Sequence, residues 1–460
     1  MLRPEYQPQA IAAVLKYATA HPRGRFLLVV PPGGGKTPMI AAVLREVVLE
    51  RGLRALVVVH RREMVEHHYQ HLLEWDVPAD KIGIIMRSDA RAKPSATIQV
   101  ASIDTLNRRE KPPADVVVTD ESHRDASPSR RKLRRLYEEA FHLGATGTPT
   151  RLDNRGLADD FDDMFVSASV ADLIRWGYLT RPRVFSVPRE LLPDLTDVRK
   201  IGHDYEAQGL ARATNQRALV GSIVEHWIRI ARDRRTVVFA ASVEHSLHIV
   251  ERFKEAGVRA AHVDWHVSPA ERKRLLTDIE SGTLQVISCV DILAESWNCL
   301  PCKCVIQARP TMSESLHIQQ SSRCMRSWND VTPIILDHAG NMTRPSLRGL
   351  PQTDRDWVLS NDRRPGGGTA PCKMCESCGS IEPAGAHACS NCAAEFEVAS
   401  PILEEKPGHL IEVGITAAER ASDWERILTF AKRREFSEAW ALQVYTAKYG
   451  STPPRTSTST

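Results

Sequence analysis

A glycine-rich stretch followed by a lysine and a threonine is the part of the sequence with the clearest chemistry. Residues 33–37 are Gly-Gly-Gly-Lys-Thr, after an apolar run at 26–30 that predicts a buried parallel strand and before a helical pattern at 39–50. Glycines let backbone N–H groups converge on phosphate oxygens, and a helix start adds the positive end of its dipole. Lys36 would reach the β- and γ-phosphates of a nucleotide, and the Thr37 hydroxyl would bind Mg²⁺. The pattern predicts a nucleotide site at Gly33, Gly34, Gly35, Lys36 and Thr37.

One position departs from the full phosphate-loop pattern. Val30 stands where that pattern has its first glycine, five residues before Gly35. A plain glycine turn is the alternative interpretation, but a Lys-Thr pair between a strand and a helix disfavours it.

An acidic pair follows a second buried strand, predicted at 116–119, and supplies the carboxylates that the glycine loop lacks. Asp120 would hold Mg²⁺ through its water shell, and Glu121 would orient and deprotonate an attacking water molecule. An isolated Asp-Glu pair means little, whereas one at a strand end downstream of Gly-Lys-Thr is typical of nucleotide hydrolysis. Gln7, near the start of a predicted helix, offers the amide donor and acceptor that would read the edge of adenine. An ordinary polar helix start would look the same.

Polar residues near three other predicted strand ends indicate contacts with phosphate groups. His60 and Arg61 follow the apolar strand at 55–59, at the end of a strand where open α/β sheets bind ligands. Ser102 and Thr105 follow the next strand, and Thr146 lies near the end of a later one. Hydroxyl groups suit hydrogen bonds to phosphates, although they serve as turns and caps at least as often. We predict that these five residues face a nucleic acid.

The composition is that of an ordinary soluble globular protein of two or three domains. The 460 residues are 42% hydrophobic and 26% charged, and the formal net charge of +4 permits a nucleic-acid partner without demanding one. No apolar run approaches the roughly 20 residues needed to cross a bilayer, so no membrane partner is predicted. The first residues lack a secretory hydrophobic region, which predicts a cytoplasmic location.

Ten cysteines in a reducing cytosol favour metal binding over disulfides, and five of them lie between residues 372 and 392. Two C-x-x-C pairs separated by ten residues predict a tetrahedral zinc site, and the metal would supply the folding energy of so short a segment. The predicted ligands are Cys375, Cys378, Cys389 and Cys392. Cys372 and His387 are alternative ligands, but Gly379 allows the tight turn that favours the first pairing.

The order of the motifs resembles the first motor domain of the superfamily-two helicases. The resemblance rests on Gly-Gly-Gly-Lys-Thr at 33–37, His-Arg-Arg-Glu at 60–63, Asp-Glu-Ser-His at 120–123 and Thr-Gly-Thr-Pro at 146–149. The last residue of the acidic box, His123, resembles the DEAH-type branch, which includes DNA-repair and restriction-type translocases. The resemblance implies a second lobe of the same kind in the second half of the chain.

Two stretches of the second half resemble motifs of that second lobe. Ser242, after a predicted strand at 236–240, is similar to motif IV, which implies a nucleic-acid contact. Residues 293–301 resemble motif V, but Ser296 and Asn298 replace its glycine and its aspartate. A neutral amide cannot supply the charge of the carboxylate, so the coupling role of this loop is open.

The stretch Gln-Gln-Ser-Ser-Arg-Cys-Met-Arg at 319–326 resembles motif VI, with Ser322 in place of a glycine. Arg323 and Arg326 are three residues apart and would share one face of a helix. The resemblance implies that both arginines reach across the cleft to the γ-phosphate and that Gln319 contacts the nucleotide. Arginines in that role raise phosphoryl-transfer rates by roughly 10³ or more.

We therefore predict an α/β chain of two tandem RecA-like (P-loop) domains with parallel sheets, a small C-terminal zinc ribbon and a helical tail. The predicted divisions are 1–168 for the ATP-binding lobe, 169–345 for the second lobe, 346–370 for a linker, 371–397 for the ribbon and 398–460 for the tail. The tail ends in a Ser-, Thr- and Pro-rich stretch from 450 that is predicted to be disordered. This arrangement resembles RadD-type DNA-repair ATPases and their phage-borne relatives.

The resemblance implies an ATP-dependent helicase or translocase that uses ATP and Mg²⁺, carries Zn²⁺ and acts on DNA with single-stranded character. It also implies a bacterial or phage-infected cell and a place near the nucleoid. Two other classes stay open. A nucleic-acid binding or remodelling factor with a degenerate motor is favoured by Val30, Ser296, Asn298 and Ser322. An RNA helicase is the second, because no residue recognisably discriminates the 2′-hydroxyl.

Overall fold

A computed structural model of the chain divides into two compact units, Met1–Glu397 and Val398–Thr460. The residues described are 2–87, 89–151, 155–187, 192–201, 204–294, 297–342, 349–360, 372–375, 377–383, 386–396, 417–434, 436–449 and 452–453. Most of the predicted linker and of the predicted disordered end lie outside these ranges. The predicted boundaries of the two lobes stay predictions.

Seven parallel strands form the sheet in the first part of the chain, in the order β3-β4-β2-β5-β6-β1-β7. Their bounds are β1 (Arg25–Val29), β2 (Ala55–Val59), β3 (Ile82–Ile85), β4 (Ile98–Ser102), β5 (Val116–Asp120), β6 (Phe141–Thr146) and β7 (Asp163–Val166). The strands β2, β5 and β6 are buried along their whole length. The predicted parallel sheet is therefore confirmed.

Helices cover both faces of this sheet. They are α1 (Gln7–Ala20), α2 (Lys36–Arg45), α3 (Arg62–Glu74), α4 (Ile103–Leu106) and α5 (Pro128–Leu136). Neighbouring residues of β2 belong to different core clusters, because Val57 lies in the cluster of Met39 and Leu56 lies in that of Leu133. A strand covered on both faces needs such a continuous apolar run. The arrangement leaves the carboxyl ends of β1, β5 and β6 side by side.

A second parallel sheet has six strands in the order β12-β13-β11-β14-β15-β8. Their bounds are β8 (Arg183–Ser186), β11 (Arg235–Phe239), β12 (Ala260–Val263), β13 (Val286–Cys289), β14 (Cys302–Gln307) and β15 (Ile334–Asp337). A short antiparallel pair of strands, β9 (Lys200–Ile201) and β10 (Asp204–Tyr205), lies between β8 and α7 in the chain. The helices are α6 (Val170–Arg175), α7 (Ala207–Thr214), α8 (Arg217–Ala231), α9 (Val243–Glu255), α10 (Pro269–Ser281) and α11 (Glu314–Ser321).

A small antiparallel hairpin of β16 (Cys372–Met374) and β17 (Ile381–Pro383) lies against the edge of the second sheet. Phe185 of β8 forms an antiparallel bridge with Ser380, and the N–H of Ser186 donates to the carbonyl of Gly379 at 3.3 Å. This segment therefore covers part of an edge strand that would otherwise expose unpaired backbone groups.

In the described residues of the second unit there are two helices, α12 (Ala417–Arg433) and α13 (Glu438–Tyr449). They pack through a cluster that includes Trp424, Ala431, Ala441 and Tyr445. The predicted helical tail is thus present in the described part of this unit. Among the helices that the structure describes, none is long and apolar enough to cross a bilayer.

Candidate active site

The glycine loop between β1 and α2 has the backbone geometry that a phosphate site needs. Gly33 and Gly35 adopt φ angles of 84° and 76°, which favour glycine. A Cβ atom on Gly34 would lie 2.7 Å from Cγ1 of Val30, so the valine that departs from the loop pattern packs directly beneath it. The N–H groups of Gly35 and Lys36 have no acceptor among the described residues. These donors at a helix start fit a phosphate.

Side chains just before α1 and at its first residue donate hydrogen bonds to carbonyl groups of this loop. Arg3 Nη1 donates to the carbonyl of Gly33 at 2.8 Å, and the Tyr6 hydroxyl donates to the carbonyl of Gly34. Gln7 Nε2 donates to the same Gly34 carbonyl at 2.9 Å, while Gln7 Oε1 accepts from the N–H of Arg3 at 2.8 Å. Both ends of the Gln7 amide are therefore engaged by the protein, and its contact with adenine stays a prediction.

Lys36 forms two ion pairs with the acidic residues at the end of β5. Its Nζ lies 2.7 Å from Asp120 Oδ1 and 2.7 Å from Glu121 Oε1. Burial alone would lower the pKa of Lys36, but the two carboxylates outweigh it and raise that pKa. Burial would raise the carboxyl pKa values, but Lys36 holds the pKa of Asp120 and that of Glu121 below their usual range. All three groups are therefore charged. Glu121 has a positive φ of 55°, a conformation uncommon for a residue other than glycine and typical of functional sites.

Two histidines of α3 contact the two residues predicted to bind Mg²⁺. His68 Nε2 lies 3.0 Å from Asp120 Oδ2, and His68 is only 2% exposed. His67 Nδ1 lies 3.5 Å from the Thr37 hydroxyl. Desolvation in the cleft, together with His71 and His68, lowers the pKa of His67. The sequence prediction missed this pair, and the signal that could have found it is two adjacent histidines on the helix that follows the His-Arg-Arg-Glu motif.

His123 connects the acidic pair to the end of β6. Its Nδ1 lies 3.4 Å from Glu121 Oε2 and 3.3 Å from the Thr146 hydroxyl. Thr146 is completely buried, and its hydroxyl also donates to the carbonyl of Thr148 at 3.1 Å. Thr146 has no exposed surface in this structure, and its predicted contact with a nucleic acid stays a prediction. Thr146 supports His123.

The two arginines of the motif VI stretch donate hydrogen bonds to residues 297 and 298. Arg323 Nη1 donates to the carbonyl of Trp297 at 2.6 Å, and Arg323 Nε donates to that of Gln319 at 3.1 Å. Arg326 Nη1 donates to the side-chain oxygen of Asn298 and to the Trp297 carbonyl, the latter at 3.3 Å. Gln319 is buried in α11, and its amide donates to Ser315 Oγ at 3.3 Å.

Arg326 nevertheless lies against the glycine loop of the first sheet. A Cβ atom on Gly33 would be 3.6 Å from Cγ and 3.9 Å from Nε of Arg326. Burial, followed by the charges of Arg323 and Arg3, lowers the pKa of Arg326. Three positive groups close to one loop destabilise each other, so an anion such as a phosphate would be stabilised there.

A direct hydrogen bond joins the first and second halves of the chain beside this loop. The hydroxyls of Thr148, which follows β6 of the first sheet, and of Ser315, in α11, lie 2.6 Å apart. Within the second half, the N–H of Thr180 donates to the carbonyl of Met325 at 2.7 Å. The structure therefore brings the motif VI stretch to the glycine loop, although almost 300 residues separate Arg326 from Lys36 in sequence.

The remaining residues predicted to contact nucleic acid lie at carboxyl ends of strands. His60 and Arg61 follow β2, and Arg61 Nη2 donates to the carbonyl of Asp291 in the second half of the chain at 3.0 Å. Ser102 ends β4, and Thr105 lies in α4. Ser242 caps α9, because its hydroxyl accepts from the N–H of His245 at 3.1 Å.

A cavity of about 500 Å³ opens between the ends of the two sets of strands. Arg61 and Arg124 line it from the first sheet, and Arg309 lines it from the second. The cavity lies at the carboxyl ends of parallel strands, which is where open α/β sheets bind ligands.

The four predicted zinc ligands come together in the ribbon. Their sulfur atoms all lie within 4.8 Å of one another, and the pairs Cys375–Cys392 and Cys378–Cys389 are each separated by 3.6 Å. Zn–S bonds of about 2.3 Å in a tetrahedron place sulfurs roughly 3.8 Å apart, so the cluster fits zinc. Neither Cys372 nor His387 belongs to this group among the described residues.

Two family descriptions match the chain. Residues 1–151 match the type III restriction enzyme, res subunit, and residues 218–327 match the helicase conserved C-terminal domain. The 51.5 kDa protein of a Lactococcus phage (isolate 7-9) is 28% identical over 375 residues, which cover 80% of this chain and 77% of the phage protein. The putative ATP-dependent helicase IRC3 of Saccharomyces cerevisiae is 24% identical and covers 77% of this chain. The match spans only 54% of the yeast protein.

A solved structure shares the fold. The ATP-dependent type ISP restriction-modification enzyme LlaBIII bound to DNA is 16% identical, with a TM-score of 0.53, over 73% of this chain and 27% of that enzyme. The two parallel sheets are thus two RecA-like helicase lobes, as the motifs implied. The two matched families, which cover one lobe each, and the helicase relatives support the assignment of the chain as a superfamily-two helicase.

Proposed function

We propose that the chain is an ATP-dependent translocase or helicase that acts on DNA. One arrangement carries the proposal. Lys36 lies between Asp120 and Glu121 in the first lobe, while Arg326 of the second lobe packs against Gly33 of the same loop. A phosphate-binding cation, an acidic pair and an arginine from the opposite lobe are the groups that ATP hydrolysis between two lobes requires.

On nucleotide binding, Lys36 would exchange its two carboxylate partners for the β- and γ-phosphates. Mg²⁺ held by Thr37 and, through water, by Asp120 would neutralise part of the phosphate charge. Glu121, released from Lys36, would then accept a proton from the attacking water. His123, 3.4 Å from Glu121 Oε2, would keep that carboxylate in place. Gln7 would be free to meet adenine once the phosphates organise the glycine loop.

The two arginines would complete the site when the lobes close. Arg323 and Arg326 are now tied to residues 297–298, and their positive charges would stabilise the γ-phosphate most in the transition state. Residues 297–298 belong to the motif V stretch of the second lobe. A movement of the two arginines would therefore also move that loop. This provides a physical route from hydrolysis to lobe movement along a nucleic-acid backbone.

The nucleic acid would lie across the carboxyl ends of the strands, at His60, Arg61, Ser102, Thr105 and Ser242. Backbone amides, hydroxyls and arginines contact phosphates without reading bases, so binding should be independent of sequence and sensitive to salt. The similarity to restriction-enzyme families favours DNA as the substrate.

Two alternatives remain in competition with this proposal. A degenerate motor would bind nucleic acid without ATP turnover. The replaced motif positions favour it, and they are Val30, Ser296, Asn298 and Ser322. An RNA helicase would turn over ATP, but RNA would stimulate it more than DNA.

ATPase measurements with single-stranded DNA, duplex DNA and RNA side by side test all three. We expect nucleic-acid-stimulated turnover that is greater with DNA, and Lys36→Ala should abolish it while circular dichroism stays unchanged. Lys254→Ala, a substitution of an exposed lysine on α9, is the matched control and should behave as the unmodified protein. Turnover retained in the folded Lys36→Ala protein would remove the site assignment, and no turnover in either protein would support the degenerate binder.

A further inference from the structure

We propose that three histidines of α3, His67, His68 and His71, are positioning residues that set the affinity of the site for its divalent cation. The inference rests on the proposed ATPase function, because it assumes that Thr37 and Asp120 are the residues that bind Mg²⁺. It adds a hydrogen-bonded layer behind both of those ligands, supplied by a single helix.

His68 holds Asp120 in one orientation. A carboxylate only accepts hydrogen bonds, so the Nε2 of His68 must carry the proton that it shares with Asp120 Oδ2 at 3.0 Å. The other oxygen, Oδ1, accepts from the N–H of Glu121 at 2.9 Å and faces Lys36 Nζ at 2.7 Å. His68 thus leaves Oδ1 directed toward the space where the metal and the phosphates would bind.

A chain of side chains reaches Thr37 from the surface. Glu74, His71 and His67 lie at spacings of three and four residues, on one face of α3. A carboxylate oxygen of Glu74 lies 2.7 Å from Nδ1 of His71, and although the two atoms are not aligned as a hydrogen bond, the nearby negative charge favours the proton on that nitrogen. The Nε2 of His71 is then an acceptor, so the Nε2 of His67, 3.1 Å away, donates to it.

These contacts determine the direction in which the Thr37 hydroxyl points its proton. With its proton on Nε2, His67 presents a lone pair at Nδ1, which lies 3.5 Å from Thr37 Oγ1. Thr37 would therefore direct its O–H toward His67 and keep its oxygen lone pairs for the cation. Groups in this position behind metal ligands typically change metal affinity or activity by about 10- to 100-fold when removed.

The test compares substitutions that remove each hydrogen bond with substitutions that keep it. His67→Ala and His68→Ala remove the contacts. In His67→Asn an amide oxygen can take the place of Nδ1 as the acceptor, and in His68→Gln an amide N–H can take the place of Nε2 as the donor. Gln70→Ala is the control, because Gln70 is exposed on the same helix and bonds only to Glu66 among the contacts described.

Two quantities are measured on each protein: the Mg²⁺ concentration that gives half-maximal turnover at saturating ATP, and the Mg²⁺ dependence of nucleotide binding. We expect each alanine variant to raise the half-saturating Mg²⁺ about tenfold. The His67→Asn, His68→Gln and Gln70→Ala proteins should stay within about twofold of the unmodified chain. A purely structural role would lower the amount of active protein without changing its metal dependence.

Alanine variants with normal Mg²⁺ dependence would overturn the inference, as would Asn and Gln variants impaired as strongly as the alanine ones. The binding measurement separates this failure from failure of the proposed function. If the unmodified chain binds nucleotide in a Mg²⁺-dependent manner while the histidine variants match it, only the inference is wrong. If the unmodified chain binds no nucleotide with Mg²⁺ present, both are wrong.

Discussion

Arg326 is the residue for which we predict the largest contribution to turnover apart from Lys36. It is half-buried between the lobes, bonded to Asn298 and packed against Gly33. Its guanidinium is therefore close to the loop, and it pairs with no carboxylate in the part of the chain that the structure describes. A charge that matters in the transition state more than in the ground state lowers turnover when removed, with little loss of substrate affinity.

Arg326→Ala should therefore lower stimulated turnover by about 10³-fold while nucleotide affinity changes by less than a few-fold. The measurement is turnover with saturating nucleic acid, alongside binding of a fluorescent ATP analogue. Arg252→Ala is the control, because Arg252 lies exposed on α9 and pairs with Glu255 of the same helix. Unchanged turnover in the Arg326→Ala protein would contradict the mechanism in which both lobes contribute to hydrolysis.

Asn298 decides how firmly Arg326 is held away from the nucleotide. The guanidinium of Arg326 now bonds to a neutral amide, whereas a carboxylate at this position would add the attraction between opposite charges and retain the arginine more tightly. Asn298→Asp should lower turnover about tenfold, a difference of about 1.4 kcal/mol. Steady-state kinetics measures it, with Asn329→Asp, an exposed substitution nearby in sequence, as the control. An increase in turnover would mean that the carboxylate restores lobe coupling instead.

At the scale of elements, the zinc ribbon is the short segment whose stability we expect to depend most on a metal ion. The hairpin β16–β17 is short. The ribbon contacts β8 through the Phe185–Ser380 bridge, a backbone hydrogen bond at 3.3 Å and a hydrogen bond from Arg183 to the side-chain oxygen of Asn391. Four thiolates held by one cation would contribute most of its folding free energy. Losing them would also uncover part of the β8 edge, which can then pair with other chains.

The purified chain should contain close to one zinc ion, and Cys389→Ser should release it and promote aggregation. Metal analysis and light scattering of protein prepared without chelators measure both effects. Cys372→Ser is a matched control, since Cys372 lies in the same hairpin but outside the four-sulfur group. The assignment fails if the unmodified protein contains no zinc, or if Cys372→Ser loses as much zinc as Cys389→Ser.

For the whole molecule, buried neutral histidines predict how stability depends on pH. Burial lowers the pKa of His142 to about 4 and that of His317 to about 3, against about 6.5 in an unfolded chain. The unfolded chain therefore takes up these protons first as the pH falls. Stability is complete above about pH 6.5 and declines toward pH 4, by up to about 1.4 kcal/mol per pH unit for each histidine.

His142→Gln isolates one of these contributions. The glutamine amide can donate to the carbonyl of Tyr137, as Nε2 of His142 does at 2.8 Å, but it does not titrate. Urea unfolding at pH 7.5, 6.5 and 5.5 should show a smaller loss of stability on acidification than in the unmodified chain. Comparing the two proteins at each pH cancels the loss of zinc that acid causes in both. His21→Gln, at an exposed position, should leave the pH dependence unchanged; equal slopes in all three proteins would contradict the prediction.

Local patterns of the sequence were enough to predict the parallel sheets, the glycine loop, the acidic pair and the four clustered cysteines. Each of these depends on residues close together in the chain: apolar runs followed by glycine or carboxylate, and thiols at a spacing that one metal ion can span. The motif order then implied a second lobe and its two arginines, and the matched families confirmed the helicase assignment.

The tertiary structure alone decided which neighbours these residues have. That Arg3 and Tyr6 hold the glycine loop, that His68 supports Asp120 and that Arg326 lies on Gly33 all follow from strand order and from the docking of the lobes. The same cause buries Thr146, which looked like a surface hydroxyl because its position at a strand end says nothing about what covers it. Such contacts join residues tens to hundreds of positions apart, and no local periodicity or spacing encodes them.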